Sequence, residues 1–287
     1  MKAVLSSVLL VCSIFFAIVG QAAPLSQGIP YYGEEFYQDL GKGAQNDVLI
    51  GRLQIILRSK HKQVPNAYDQ ISNACNGAGC YEHISLGYDS ARVWLMGTYY
   101  LTEINGEYAL PDVYCGNYKT ASQFGSNGPG PDRYPDGNIL NTEHTWPQSR
   151  FSGEFNGQMQ KSDLHHLYPT DNQMNAIRGN YEFGEVARDT KKLKCPVSRF
   201  GKPAEGGNDV FEPPMAHKGN VARALFYFSV HYNLHISPRQ EAYLRKWHKE
   251  DPVDDEEIRR NDEIMKVQGN RNPFVDYPEL VDLINKF

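Results

Sequence analysis

Two stretches decide the fold: residues 139–151, ILNTEHTWPQSRF, and residues 162–180, SDLHHLYPTDNQMNAIRGN. The apolar residues that open the first stretch predict a short strand over residues 139–144. Alternation of side chains predicts a second strand over residues 163–168, which would place its two histidines on opposite faces. A helix should follow the second strand, so the predicted order is strand, loop, strand, helix.

The predicted helix has recognisable ends. Thr170 suits an N-cap, and Gly179 suits a helix end. Within the helix Asp171, Asn175 and Arg178 are spaced i, i+4 and i+7, so they share one face. A helix this short is marginal by itself and must be held by packing. Its polar face therefore points either at a specific site or at water.

These residues suit the hydrolysis of a phosphodiester. A hard divalent cation such as Mg²⁺ prefers oxygen ligands, which the Glu143 carboxylate and the Asn175 amide can supply. His144 has an unperturbed pKa of about 6.5 and can take a proton from an attacking water. Arg178 on the helix, or Arg150 in the loop, can hold a phosphate oxygen.

Each element also has a plain structural explanation. An adjacent Glu-His pair is usually on the surface, neighbouring histidines are often packing residues, and a polar helix face is often only solvated. On a regular strand, adjacent side chains also face opposite ways. Glu143 and His144 therefore serve one site only if the backbone is irregular there, and Trp146-Pro147 indicates that the strand ends nearby. Spacing alone supports the two explanations equally.

The first 23 residues have the layout of a signal peptide. Lys2 precedes an apolar run from Val8 to Val19, and small residues follow. The run is too short to predict a membrane span, which needs about 20 residues. We expect cleavage after Ala22 or Ala23, which leaves one domain over residues 24–287 in the periplasm or outside the cell.

Cysteine usage agrees with export. Cys12 leaves with the signal peptide, and four cysteines remain: Cys75, Cys80, Cys115 and Cys195. An even number in an exported chain indicates disulfides, with three pairings possible. A Cys75–Cys80 bond is attractive because the two glycines of CNGAGC let the loop turn back, and it would leave Cys115 with Cys195. A zinc site is the alternative, but the spacings lack a CxxC pair.

Composition and pattern predict a soluble α+β protein. Hydrophobic residues make up 40% and charged residues 22% of the 287 residues, and a net charge of −5 argues against coating DNA by bulk charge. Helices are predicted over residues 33–60 and through the last third, including a buried helix over residues 220–232. Ser237-Pro238 and Asp251-Pro252 should each begin a helix, with Ser237 and Asp251 as caps, and Gly269 suits a helix end. Strands are predicted over residues 91–118, with a hairpin at Asn105-Gly106. Helices flank strands without alternating, so we expect a mostly helical single domain around a small mixed or antiparallel sheet.

The chain resembles the endonuclease I family, and four blocks carry the resemblance: NTEHTWPQSRF (141–151), SDLHHLYPTDNQMNAIRGNYEFGEV (162–186), EPPMAHKGNVARALFYFSVHY (212–232) and KWHKEDPVDDEEIRRNDEIMKVQGNRNPFVDYPELV (246–281). Members of this family are periplasmic and extracellular non-specific nucleases with a ββα-metal (His-Me finger) core. The similarity extends from about Tyr31 to the C-terminus. Several blocks in order are far more specific than one short motif.

The resemblance implies a fold, an activity and a site. Members cut DNA, and many cut RNA, with one Mg²⁺ or a similar ion such as Mn²⁺ or Ca²⁺, and leave 5′-phosphate ends. The family motif makes His144 the general base and Glu143 and Asn175 the metal ligands. The family's phosphate-binding arginine does not align here, so Arg150 and Arg178 both remain candidates. Substrate-binding candidates are these two arginines and Asn180, and we expect a monomer that binds DNA and RNA and no membrane.

Two other functions remain open. A phosphoesterase for small phosphate esters would share the metal chemistry but would need a closed pocket. A non-catalytic nucleic-acid-binding protein could keep the fold, although intact Glu143, His144 and Asn175 speak against it. The chain also has fewer cysteines than disulfide-rich periplasmic family members, so their pairing cannot be transferred.

Overall fold

The structure is a computed structural model that describes residues 28–287, so the predicted signal peptide lies outside the described residues. Over this part of the chain the α-helices are α1 (Gly33–Gly41), α2 (Asn46–Arg58), α3 (Tyr88–Trp94), α4 (Gly157–Ser162), α5 (Asn172–Arg178), α6 (Met215–Tyr232), α7 (Pro238–Glu250), α8 (Asp255–Gln268), α9 (Pro273–Asp276) and α10 (Leu280–Leu283). None of these helices combines the length and the apolarity needed to cross a bilayer.

The strands of the described residues are β1 (His61–Lys62), β2 (Gln70–Ile71), β3 (Cys80–Tyr81), β4 (Thr102–Ile104), β5 (Glu107–Asp112), β6 (Asn117–Thr120), β7 (Leu140–His144), β8 (Leu167–Asp171), β9 (Arg188–Lys191), β10 (Arg199–Lys202) and β11 (Val210–Glu212). They form four small sheets, in the orders β2-β1-β3, β4-β5-β6, β7-β8 and β11-β10-β9. Neighbouring strands in each sheet are antiparallel. The α+β class is confirmed, but four separate sheets stand where the sequence predicted one.

The long helix α6 lies at the centre of the larger core. Fifteen of its 18 residues are buried, as the apolar run over residues 220–232 predicted. Its aromatic side chains form a continuous cluster with residues from α2, α7 and α9. Burial of this kind stabilises by about 25 cal/mol for each Å² of apolar surface removed from water. The helix therefore serves as the support on which the remaining elements pack.

The predicted helix boundaries are partly confirmed. Ser237 caps α7 by accepting a hydrogen bond from Gln240 N, and Gly269 ends α8 in the left-handed conformation. The predicted cap of α8 at Asp251 is wrong, because Asp254 accepts from Glu257 N instead. The side chains of Ser237 and Asp254 each satisfy one of the amide groups that the start of a helix leaves unpaired.

Two longer predictions need correction. Residues 33–60 form two helices and not one, since the chain turns between α1 and α2 at Gly43, which has a φ of 80°. Residues 91–118 are strands only from Thr102 onward: α3 and one π-helical turn (Leu95–Tyr99) occupy the first part. Packing overrides strand propensity here, because Ala91, Leu95 and Met96 are fully buried in a second, smaller core.

The predicted hairpin at Asn105-Gly106 is confirmed. Strands β4 and β5 pair antiparallel, with Ile104 opposite Glu107. Asn105 and Gly106 both have positive φ, at 53° and 81°. Two central residues with positive φ match the right-handed twist of the flanking strands, which is the geometry that an Asn-Gly pair favours.

Both predicted disulfides are present. Cys75 is bonded to Cys80 within a loop, and Cys115 is bonded to Cys195 across a separation of 80 residues. The second bond joins the end of the β5–β6 turn to the segment before β10. A cross-link that closes a longer loop removes more entropy from the unfolded chain.

We expect the two disulfides to contribute unequally to stability. Replacing Cys115 and Cys195 together by Ala should lower the free energy of unfolding by about 4 kcal/mol, against about 2 kcal/mol for Cys75 and Cys80 together. Urea denaturation of the two double variants measures both values. An equal or larger loss from the Cys75–Cys80 pair would contradict this ranking.

A buried carboxylate ties three parts of the chain together. Asp163 has no exposed surface, and its Oδ1 accepts from His165 N at 3.1 Å and from Gln268 Nε2 at 2.8 Å. Its Oδ2 accepts from the hydroxyls of Tyr227 and Tyr232 at 2.7 and 2.8 Å. Four donors fill the acceptor sites of a carboxylate. Asp163 thus fixes the segment before β8 to both α6 and α8.

Several histidines are buried in the neutral form. Burial lowers the pKa of His165 and His217 to about 3 and that of His166 and His248 to about 4. In the unfolded chain, histidine titrates near a pKa of about 6.5. Between these values the unfolded chain binds protons that the folded protein does not bind. The contribution of these histidines to the free energy of unfolding therefore decreases as pH falls from about 6.5 to about 4.

A single histidine should account for a measurable part of this slope. His217→Phe keeps the ring contact with Tyr168 and removes one titrating group. The dependence of the unfolding free energy on pH should then decrease by about 1.4 kcal/mol per pH unit between pH 6 and pH 4. Urea denaturation at three pH values in this range measures the slope. An unchanged slope would show that His217 does not stay neutral in the folded protein.

Candidate active site

The two diagnostic stretches form a two-stranded sheet followed by a helix. Strands β7 and β8 pair antiparallel, with Glu143 opposite Tyr168 and His144 opposite Leu167. Helix α5 starts directly after β8. Leu140 and Leu167 anchor the strands in the smaller core, and Met174 anchors α5 in the larger one. This unit, which we call the ββα unit, is therefore held between the two cores.

The predicted positions of the second strand and of the helix start are wrong. Residues Leu164–His166 form a 3₁₀ turn, and the strand begins at Leu167. The turn forms because the Asp163 side chain captures the amide of His165, which removes that amide from strand pairing. Asp171, and not Thr170, is the N-cap of α5, since its Oδ1 accepts from Gln173 N and Met174 N. The histidines predicted on alternating faces are both buried.

The side chain of Asn175 connects α5 to β7. Its Nδ2 donates to the backbone oxygen of Thr142 at 3.1 Å, which fixes the orientation of the amide. The oxygen then remains available on a half-buried side chain. Arg178 lies three residues further on the same helix face and contacts Glu143. Asn175 therefore lies beside the part of β7 that carries Glu143.

Glu143 is a buried carboxylate with acceptor capacity left over. It is 1% exposed, and Arg178 Nη1 lies 2.8 Å from its Oε1. That oxygen has no aligned hydrogen-bond partner. Burial raises the pKa of Glu143, while Arg178 and the nearby Tyr114 hydroxyl oppose the increase. A carboxylate kept from water and incompletely satisfied fits a site that takes up a cation.

His144 is held in one tautomer. Its Nε2 lies 3.1 Å from the backbone oxygen of Lys161, so Nε2 carries the hydrogen and donates it. Its Nδ1 lies 3.3 Å from Nε2 of Gln148, an exposed side chain that donates to it. Burial, followed by the influence of His166, lowers the pKa of His144 well below 6.5. The neutral ring thus places its unprotonated Nδ1 next to the exposed side chain of Gln148, which a water can replace.

Glu143 and His144 have different neighbours. His144 packs against the rings of Tyr88 and His166, both at 5.3 Å between ring centroids. Glu143 contacts Arg178. The pairing of β7 with β8 continues regularly through both residues, so the backbone irregularity that one shared face would require is absent from this strand. The two side chains can meet a common ligand only around the edge of β7 that carries no partner strand.

The two candidate arginines occupy different environments. Arg178 is 2% exposed and donates to the backbone oxygens of His144 and Thr145 at 2.8 and 2.5 Å. These contacts hold Glu143 and the end of β7 in place. Arg150 is exposed, and its Nη2 donates to the backbone oxygen of Asn180 at 2.7 Å. Of the two arginines, only Arg150 is open to solvent.

The available ligand atoms fit a hard cation. Glu143 offers a carboxylate oxygen and Asn175 an amide oxygen, the donor types that Mg²⁺ prefers. Among the described residues, His83, Asp163 and His231 also cluster within 4.8 Å. Because the Asp163 oxygens already accept four hydrogen bonds, that cluster is a structural network. Another cluster includes a disulfide, whose sulfurs are not thiolates.

Sequence reasoning missed the groups that orient the site. Tyr114, Gln148 and the backbone oxygen of Lys161 face the predicted residues from other segments. Gln148 is four residues from His144 and could have been considered from spacing. The Lys161 carbonyl leaves no sequence signal, since every residue has one.

An antiparallel strand pair leading directly into a short helix, with a carboxylate, an imidazole and an amide on it, defines the ββα class of site. The chain belongs to the endonuclease I family, whose model matches residues 79–279. That match contains the whole ββα unit.

Several extracellular and periplasmic nucleases are similar to this chain. The chain is 38% identical to the extracellular ribonuclease of Bacillus subtilis (strain 168) over 163 residues, which is 50% of this chain and 53% of the relative. It is 32% identical to an extracellular deoxyribonuclease of Aeromonas hydrophila over 127 residues, 44% of this chain and 52% of the relative. It is 31% identical to endonuclease-1 of Buchnera aphidicola subsp. Baizongia pistaciae over 122 residues, 42% of this chain and 49% of the relative. The chain thus spans about half the length of the relatives that it matches.

The buried pair of Glu143 and Arg178 should be strongly coupled. Arg178→Met leaves an unpaired buried carboxylate and should cost about 3–5 kcal/mol of unfolding free energy. The double variant with Glu143→Gln should lose less than the sum of the two single losses. Urea denaturation of the three variants measures the coupling.

An exposed ion pair provides the control. Lys266 lies 2.7 Å from Glu263, and their side chains are 65% and 40% exposed. Lys266→Met should cost less than about 1 kcal/mol, because water already solvates both charges. Additive losses at Glu143 and Arg178, or an equal cost at Lys266, would contradict the coupling.

Proposed function

We propose that this protein is an exported, divalent-metal-dependent endonuclease that hydrolyses DNA and RNA without sequence preference. The observation that carries the proposal is the ββα unit, which brings Glu143 and Asn175, with oxygen atoms able to bind a metal, and His144, with a fixed tautomer, to the same strand edge. Glu143 and Asn175 hold the metal, and His144 activates water. Membership of the endonuclease I family supports the assignment of a nuclease activity.

His144 acts as the general base. Its Nε2–H remains bound to the Lys161 carbonyl, so Nδ1 is the nitrogen that accepts the proton. Gln148 holds Nδ1 at 3.3 Å through an exposed side chain, which a water can replace. A base that is neutral at working pH needs no prior deprotonation.

Glu143 and Asn175 provide oxygen ligands from one side of β7. When bound, Mg²⁺, or Mn²⁺ or Ca²⁺ in its place, neutralises charge on the phosphate that is attacked. Arg178 keeps Glu143 in position through its 2.8 Å contact, and the Thr142 carbonyl keeps the Asn175 amide in position. Both ligand side chains are thus fixed before a metal arrives, which reduces the entropy lost on binding.

The substrate lies along the free edge of β7. A phosphate there can be reached by Glu143 and Asn175 from one face and by His144 from the other. Arg150, which is exposed beside Asn180, contacts a phosphate of the same strand, and Asn180 supports that contact. Attack on phosphorus with rupture of the P–O3′ bond leaves a 5′-phosphate and a 3′-hydroxyl.

The relatives support both substrates and export. Two extracellular ribonucleases match at 38% and 37% identity, and an extracellular and a periplasmic deoxyribonuclease match at 32%. The longer and closer matches to ribonucleases favour RNA as a substrate beside DNA. Their names, with the predicted signal peptide, support release into the periplasm or the medium. We propose that the protein acts as a monomer, because consecutive segments of one chain form the whole ββα unit.

The test uses plasmid DNA and a structured RNA with the mature protein, in Mg²⁺ and in EDTA. We expect both substrates to be degraded in Mg²⁺ and preserved in EDTA. His144→Ala should reduce the rate by about 10²–10⁴-fold, the contribution typical of a general base. Asn175→Ala and Glu143→Gln should raise the Mg²⁺ concentration required for half-maximal rate.

Asn208→Ala, at an exposed position outside the ββα unit, is the control and should retain the wild-type rate. Circular dichroism confirms that each variant is folded. Full metal-dependent cleavage by folded His144→Ala would overturn the assignment of the base. Hydrolysis of bis(p-nitrophenyl) phosphate without any cleavage of nucleic acid would instead support a phosphoesterase.

A further inference from the structure

A cavity opens beside the end of β7. Its volume is about 160 Å³, and it lies between the residues that follow His144, the end of α5 and the start of α7. Thr145 and Arg178 line its floor, and Leu225 and Ile236 contribute apolar walls. The space exceeds that of several waters, since one water occupies about 30 Å³ in the liquid. It therefore has room for a small organic group.

Two buried polar groups at this cavity lack partners. Thr145 is 0% exposed, and its hydroxyl makes no hydrogen bond. Arg178 is 2% exposed, and its Nε has no partner. A buried donor or acceptor without a partner destabilises a fold, so native proteins retain few of them. Because Thr145 and Arg178 both line the cavity, a ligand that enters it can supply partners for these groups.

The cavity also has aromatic walls. Trp146 lines it, and the indole is fixed by stacking on Phe228 and by donating Nε1–H to the Arg150 carbonyl at 2.9 Å. Tyr181, also at the cavity, is 42% exposed. An exposed tyrosine beside apolar walls provides a flat surface for a ring to stack on. Glu182 and Arg150 also line the cavity, so its lining carries charges of both signs.

We propose that this cavity binds one unstacked nucleobase of the strand that is cut. A base has two apolar faces and a polar edge, which match the aromatic and apolar walls and the unpartnered Thr145 hydroxyl and Arg178 Nε. Arg178 lines the cavity and also contacts Glu143 at 2.8 Å, so the base lies one side chain away from the proposed metal ligand. This inference rests on the proposed function, because it assigns a substrate subsite to the same enzyme.

The first experiment compares a single-stranded 12-mer with the same 12-mer made entirely of abasic residues. The wild-type protein should have a higher kcat/KM for the base-bearing strand. Tyr181→Ala should reduce that preference by about tenfold, the lower part of the range for base stacking on an aromatic ring. Thr145→Val should reduce it by about three- to tenfold, as expected for one hydrogen bond. Rates on the abasic strand should stay unchanged in both variants.

Tyr118→Ala is the matched control. Tyr118 is a 53% exposed tyrosine on β6, and its removal should leave the preference unaltered. Thr145→Val should also raise the melting temperature, since it removes an unpartnered hydroxyl from a buried position. A purely structural role for Thr145 would instead lower the melting temperature and reduce both rates equally.

A binding measurement in EDTA separates this inference from the proposed function. Adenosine 5′-monophosphate should shift the indole N–H resonance of Trp146 in a ¹⁵N–¹H spectrum, while Trp94 and Trp247 serve as internal references. Ribose 5-phosphate, which has no base, should cause no shift. Tyr181→Ala should weaken the effect of adenosine 5′-monophosphate.

The outcomes are distinct. Equal cleavage of the two strands by the wild-type protein, or equal shifts from the two small ligands, would overturn the nucleobase subsite and leave the nuclease intact. If no nucleic acid is cut with any divalent ion, the proposed function fails. The spectrum in EDTA then still decides whether the cavity binds a base.

Discussion

The ββα unit depends on one carboxylate that has no contact with water. Asp163 precedes the 3₁₀ turn that leads into β8, and its four hydrogen bonds connect this turn to α6 and α8. When one member of a satisfied buried network is removed, the remaining polar groups lose their hydrogen-bond partners. Such networks therefore strongly favour a single arrangement of the chain. Because the turn determines where β8 begins, it also determines the register that places Glu143 opposite Tyr168. The geometry of the candidate site thus depends on a residue 20 positions after Glu143 and 12 positions before Asn175.

Two buried carboxylates in this protein have opposite properties. Asp163 is saturated with donors, whereas Glu143 has an oxygen without an aligned hydrogen bond and a single cationic neighbour. The surroundings of Asp163 lower its pKa, although burial opposes this, and burial raises the pKa of Glu143. A saturated carboxylate can only stabilise the fold. A carboxylate at the edge of a sheet that lacks hydrogen-bond donors retains the capacity to bind a cation. The number of donors around a carboxylate therefore distinguishes a structural role from metal binding more clearly than residue type does.

Local signals in the sequence predicted what local forces determine. The Asn105-Gly106 hairpin, the Cys75–Cys80 disulfide and the start of α7 follow from short-range chemistry, and all are present. The Cys115–Cys195 disulfide, across 80 residues, followed only because these two cysteines were left over. The strand predicted over residues 163–168 was wrong because a side chain took the amide that pairing needed. Residue spacing also could not predict the role of Arg178, because it indicated only that Arg178 lies on a polar helix face. Its burial against Glu143 arises only when α5 packs on β7, and periodicity carries no information on that contact.

Four of the fourteen buried polar side-chain atoms without a partner, among the described residues, lie around one end of β7. Thr142, Glu143, Thr145 and Arg178 each have a buried polar atom without a hydrogen-bond partner. A run of such groups within four consecutive strand-end residues and the helix that packs on them is costly, since each one forgoes the hydrogen bonds it would make in water. Folding alone would favour their replacement by apolar residues. The two proposed ligands, a cation at Glu143 and a base at Thr145, would supply partners for two of these groups.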